Sequence, residues 1–189
     1  MVAEEEAKHP ERPVEVFATD EHRIGLKPVT RRVWAPVGER PVAAGHHRFE
    51  WLYVTVFVAP GTGETFWYLS NGVSKEFFEA LLALFAREAG AGRERTIVLQ
   101  LDNAGWQGEA GLAVPEGIRL VYLPAYSPEL QPAETLWTLV DEPIVNKHIP
   151  TLDDLEHIIA RRCVDLAGTP DRIRSQTCFH WWPEANSTK

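Results

Sequence analysis

The run F-E-W-L-Y-V-T-V-F-V-A at residues 49–59 constrains the fold more than any other segment. It is dense in aromatic and β-branched residues, which suit a pleated and half-buried surface, and it stops at Pro60. Pro60-Gly61-Thr62-Gly63 reads as a turn and Thr65-Phe-Trp-Tyr-Leu69 as the returning strand, so residues 49–69 form a hairpin. The turn glycines are not a phosphate loop, because Glu64 stands where that chemistry needs Lys and Ser or Thr.

Around the hairpin the pattern alternates between strand and helix. V-E-V-F-A-T-D at residues 14–20 puts Val14, Val16, Ala18 and Asp20 on one side of a strand, and residues 32–35 are strand-like. Ser74 caps a helix over residues 74–89, with Phe77, Phe78, Leu81, Leu82 and Phe85 at helical spacing and Gly90 as its stop. Strands follow at 95–102 and 118–123. Pro132 opens a helix that Pro143 ends, and Thr151 with Asp154 starts another over residues 152–166, closed by Gly168. This order predicts a mixed α/β domain with an antiparallel side.

The chain has 189 residues, enough for one domain that buries roughly 70% of its unfolded surface without disulfide staples. Residues 1–13 carry four glutamates and two prolines and are expected to be a flexible acidic arm or linker stub, leaving 14–189 as the folded domain. No apolar run is long enough to span a bilayer, and the acidic start lacks a secretory pattern. Cys163 and Cys178 fit a reduced, cytoplasmic protein, although one bridge between them stays open. With 19 basic and 27 acidic residues the net charge is −8, which disfavours non-specific attraction to nucleic acid or an anionic membrane. A cluster of acids that binds divalent metal also drives a chain negative while serving phosphate chemistry.

Such a cluster is available. Asp20 and Asp102 each end an expected strand and Glu134 opens an expected helix, so adjacent strands would bring three carboxylates together at strand tips, where sites form. Two carboxylates about 4 Å apart repel by roughly 4 kcal/mol at an effective dielectric near 20, so something must neutralise them. Oxygen-only ligands suit Mg²⁺, and a pair of ions about 4 Å apart serves phosphoryl transfer. Taken singly, each of these acids is more often a turn former, a cap or a solvated group.

Four segments carry a resemblance to the DDE transposases of the bacterial insertion-sequence and mariner-like superfamily. They are Ala18-Thr-Asp-Glu-His-Arg-Ile-Gly-Leu26, Arg32-Val-Trp-Ala-Pro-Val-Gly38, Val98-Leu-Gln-Leu-Asp-Asn103 and Leu123-Pro-Ala-Tyr-Ser-Pro-Glu-Leu-Gln-Pro-Ala-Glu-Thr-Leu-Trp137. The resemblance spans nearly everything from residue 14 to 166. It implies a ribonuclease H-like catalytic domain: a mixed sheet of three antiparallel strands plus parallel strands, flanked by helices. Its three catalytic acids fall on Asp20, Asp102 and Glu134, which would hold two Mg²⁺ or Mn²⁺ ions, cut DNA at transposon ends and drive strand transfer. The familiar Asn-Pro-Ile-Glu appears here as Gln131-Pro-Ala-Glu134, and the histidine that relatives carry after the second aspartate is replaced by Ala104-Gly-Trp-Gln107.

Relatives carry helix-turn-helix modules ahead of the catalytic domain, whereas 19 residues precede Asp20. The resemblance therefore implies DNA recognition through a helix-turn-helix partner chain or a fused upstream domain, with a homodimer as a further assembly and no membrane partner. Two alternatives stand beside it. One is a stand-alone ribonuclease H-like nuclease that cuts but never joins, and the other a non-catalytic remnant that binds and regulates related chains.

Secondary candidates have plainer readings. Glu21 adjoins Asp20 but points to the other side of an ideal strand. Asn103 either orients a ligand or forms a turn. Arg23, Lys27, Arg31 and Arg32 either contact phosphates or make a solvated hairpin. Adjacent His46 and His47 lack zinc-ligand spacing, and Ser127 lacks the glycines of a nucleophile elbow. Trp181-Trp182 either stack on bases or close a core.

Overall fold

The computed structural model describes residues 2–8, 10–42, 45, 48–102, 111–124 and 127–182. Five strands form one sheet: β1 (Val14–Gly25), β2 (Trp51–Ala59), β3 (Glu64–Ser70), β4 (Thr96–Leu101) and β5 (Ile118–Tyr122), in the order β3-β2-β1-β4-β5. β1, β2 and β3 are antiparallel neighbours, while β4 and β5 continue from β1 in parallel. This is the mixed sheet the sequence predicts.

Helices cover both faces because successive β1 side chains alternate. Phe17 points to one face, where it joins Phe57, Ile97 and Leu99 beneath Phe78, Leu82 and Phe85 of α2 (Lys75–Glu88). Phe85 stacks on Phe57 with ring centroids 4.0 Å apart. The Ser74 hydroxyl accepts the Phe77 N–H at 3.1 Å, as a cap should. Ala18 points to the other face with Val54, Val56 and Val58. There it meets α3 (Trp137–Asp141), α4 (Leu152–Ala167) and α5 (Pro170–Thr177) through Val140, Leu155, Ile159, Cys163 and Ile173. Asp20 shares the parity of Ala18 and faces this second helical layer.

Three local expectations are corrected, on the end of β1, on residues 32–35 and on the start of α3. β1 does not end at Asp20 but runs to Gly25, because β2 supplies a partner as far as Gly25↔Trp51. Residues 32–35 form no strand; Val33 and Trp34 are exposed and no neighbouring strand receives them. The proline-rich approach to α3 makes two 3-10 turns, Pro128–Leu130 and Pro132–Leu136, before α-helix begins. Within residues 1–13 a short helix, α1 (Val2–Lys8), buries Glu5, whose carboxylate meets Lys8 at 2.7 Å and Arg119 at 3.4 Å. α5 is too polar to show a stripe, yet its Ile173 and Thr177, four residues apart, are buried. Trp182 joins the core of the second layer and Trp181 stays partly exposed. Cys163 is buried and Cys178 exposed, and the two are not bridged. Among the described residues no helix is long and apolar enough to cross a membrane.

Candidate active site

The register of β1 against β4 places the first two acids. Their parallel pairing runs from Val14↔Thr96 to Ala18↔Gln100. Two residues further along stand Asp20, within β1, and Asp102, the residue just after β4. The register therefore carries them forward level with each other on strands spaced about 4.8 Å apart. β1 continues with β2 alone, so no strand pairs with Asp20 beyond the end of β4.

Two glutamines bring in the third acid. Gln100 Nε2 donates to the Leu130 carbonyl at 2.6 Å, and Gln131 Nε2 donates to the Thr19 carbonyl at 2.9 Å in a buried setting. They pin the 3-10 segment to the end of β4 and the middle of β1, and the fully buried Ala133 and Leu136 anchor it. Glu134 lies between these anchors and is exposed, as is Asp102.

Burial pushes the Asp20 carboxyl up to about 6 from an ordinary value of 3.8, and the nearby charges of Asp102 and Glu134 push it the same way. Hydrogen bonds from the Trp137 side chain and the Glu21 backbone N–H oppose the rise. Asp20 is thus a partly desolvated carboxylate with acidic neighbours.

Trp137, to which the sequence assigned no role, holds that carboxylate in place. Its Nε1–H donates to Asp20 Oδ2 at 2.7 Å. Its ring stacks on His22 with centroids 4.9 Å apart and meets the Trp67 ring nearly edge-on at 6.5 Å. His22 Nε2 lies 3.0 Å from Asp141 Oδ1, so the stack is tied to the end of α3. The one sequence signal was spacing: Trp137 follows Glu134 by three residues, the repeat at which 3-10 side chains eclipse.

Among the described residues no three His, Cys, Asp or Glu side chains sit close enough to form a ready metal cage. The donor chemistry nevertheless fits a hard divalent cation. All candidate donors are carboxylate oxygens, and burial, with the charges of Asp102 and Glu134 adding to it, makes the charged form of Asp20 costly without a cation.

The other candidates separate. Glu21 alternates to the opposite face from Asp20. The Arg31 side chain donates to the Thr138 carbonyl at 2.9 Å, and its backbone exchanges hydrogen bonds with Asn146. Asn103, residues 104–107, His46 and His47 lie outside the described residues.

A mixed sheet with parallel and antiparallel halves and helices on both faces defines a ribonuclease H-like fold. Residues 15–156 match the family model of the DDE superfamily endonucleases, and the chain belongs to that family. It is 28% identical over 134 residues to the uncharacterized protein y4pE/y4sA of Sinorhizobium fredii, covering 69% of this chain and 96% of that one. It is also 28% identical over 146 residues to the insertion element IS630 uncharacterized 39 kDa protein of Shigella sonnei, covering 75% of this chain and 40% of that protein. Among solved structures, a pre-cleavage Mos1 transpososome is similar with a TM-score of 0.57 at 12% identity, over 96% of this chain and 61% of that one. A Mos1 mariner paired end complex with Mn is similar with a TM-score of 0.55 at 14% identity, again over 96% and 61%. At such identities the likeness is one of fold.

Proposed function

We propose that the chain is the catalytic domain of a transposase, cutting DNA at transposon ends and transferring the freed 3′ strand, with Asp20, Asp102 and Glu134 as the ligands of two Mg²⁺ or Mn²⁺ ions. The observation that carries this reading is the Asp20 carboxyl. It is partly desolvated and feels the charges of Asp102, the residue after β4, and of Glu134 in the 3-10 segment, an arrangement that a bound cation would relieve. The similar proteins add support: one belongs to an insertion element, and the Mos1 structures include a strand transfer complex and paired end complexes with Mn and with Mg.

Divalent ions held there would activate a water or hydroxyl and stabilise the leaving oxygen of a phosphodiester. The chain's own residues prepare the spot. Trp137 and the Glu21 N–H fix the orientation of Asp20 and favour its charged form, which a cation requires. Gln100 and Gln131 hold the Glu134 segment against both strands. Asp102 and Glu134 are exposed, leaving the site open to a substrate as broad as DNA. A net charge of −8 gives little long-range pull on phosphates, so end recognition rests on a DNA-binding module in a fused segment or a partner chain.

The test is nicking of supercoiled plasmid with Mg²⁺ or Mn²⁺. The protein nicks, and Asp102→Ala abolishes nicking while keeping its far-ultraviolet circular dichroism and melting curve. Equal nicking by the variant refutes the assignment. Precut ends then separate two enzymes: joined product marks a transposase, and cutting without joining marks a stand-alone nuclease.

A further inference from the structure

β1 passes the candidate active site and continues to Gly25, and around its far end lies an open pocket of about 420 Å³. Its wall includes Arg23, Lys27, Arg48, Phe49, Glu50 and Trp51. In a chain where acids outnumber bases 27 to 19, this wall reverses the balance, with Arg23, Lys27 and Arg48 against Glu50 alone. Among the described residues neither Lys27 nor Arg48 is held in an ion pair. Beside these cations stand two aromatic rings that folding leaves in water. Phe49 is 77% exposed and Trp51 37%, with centroids 6.4 Å apart and planes nearly perpendicular. The Arg23 guanidinium lies 4.7 Å over the Trp51 ring.

Exposed aromatics and unpaired cations in one concavity are the chemistry of an unpaired nucleotide, since a base offers a face to stack and its phosphate a charge to neutralise. An apolar protein partner would leave the cations desolvated without compensation. The position also suits DNA. At about 3.3 Å per residue, Ile24 is about 13 Å along β1 from Asp20, a few nucleotides from the proposed cut.

We infer that this pocket holds an unpaired nucleotide of the DNA beside the cut, its phosphate on Lys27 and Arg48 and its base against the Phe49–Trp51 pair. The inference rests on the DNA reading proposed above. It separates cleanly from catalysis because binding is measurable without metal.

The experiment is fluorescence anisotropy of a labelled oligothymidylate of about ten nucleotides, in chelator, across a salt series. The full chain binds it more tightly than a blunt duplex of equal length. Phe49→Ala weakens binding about fivefold or more with an unchanged salt slope, because stacking is lost and no phosphate contact is. Lys27→Gln with Arg48→Gln lowers the slope of log K against log salt by about 0.7 for each phosphate contact removed. These side chains are exposed, so folding is not at stake. Wild-type affinity and slope in both variants overturn the inference, as does a Phe49→Ala effect confined to self-association in sedimentation velocity, which would assign the face to a second copy. Failure of the two readings is distinguishable. Pocket variants that bind poorly in a chain that never nicks refute the catalytic reading alone, and a nicking chain whose pocket variants bind normally refutes the pocket alone.

Discussion

Asp20→Asn is expected to make the metal-free protein more stable at neutral pH. In the unfolded chain this carboxyl titrates near 3.8, and in the folded chain at about 6. The folded state therefore holds the proton more tightly. Stability that is fully present below about pH 4 is lost as pH rises through about 6. A gap of about two units, at about 1.4 kcal/mol each, amounts to about 3 kcal/mol lost by pH 7 or so. Asparagine removes the charge, keeps the shape and retains a carbonyl oxygen to accept from Trp137 Nε1–H. Urea melts in chelator should give the variant an advantage of about 2–3 kcal/mol near pH 7.5, or about 2–4 °C in Tm per kcal/mol for a chain of this size. The advantage should shrink toward zero near pH 4, and saturating Mg²⁺ should favour the wild type instead, since ligand binding stabilises the state that binds it. A variant no more stable than wild type near neutrality, or an advantage insensitive to pH, refutes the reasoning.

Three further outcomes follow from single contacts. Trp137→Phe keeps the ring but deletes the donor to Asp20, so the Asp20 carboxyl should move above 6 by about one unit in a carbon-13 NMR titration; an unmoved carboxyl shows the bond is not formed in solution. Gln131→Leu leaves the Thr19 carbonyl buried without its donor and should cost about 1–3 kcal/mol in a denaturant melt, together with weaker Mn²⁺ binding by calorimetry as the Glu134 segment loosens. Gly63→Ala should lower Tm sharply, because φ is +80° there and the added carbon would lie 2.0 Å from the Pro170 carbonyl oxygen; an unchanged Tm would mean that the turn and α5 do not approach as described.

What the sequence revealed depended on whether a residue's role is local. The β2–β3 hairpin, α2 and α4 were legible because aromatic alternation, helical spacing and caps at Ser74 and Thr151 lie within each segment. The far half of β1 was not, since Glu21, His22 and Arg23 break the alternation and the strand exists there only because β2 pairs with it. α5 was hidden for a related reason: its helix is fixed by two buried residues amid polar ones. At the site, the three proposed acids were named from expected strand ends and from their motifs, although β1 runs past Asp20 to Gly25. Trp137 and Gln131 could not, because their partners lie 117 and 112 residues away and follow from the register of β1 against β4.

The most direct test of the central claim is an anomalous difference map from crystals of the protein grown with Mn²⁺. Two peaks about 4 Å apart are expected, bounded by the carboxylates of Asp20, Asp102 and Glu134, with Trp137 still bonded to Asp20. Manganese bound elsewhere, or a peak that one of the three acids cannot reach, contradicts the claim.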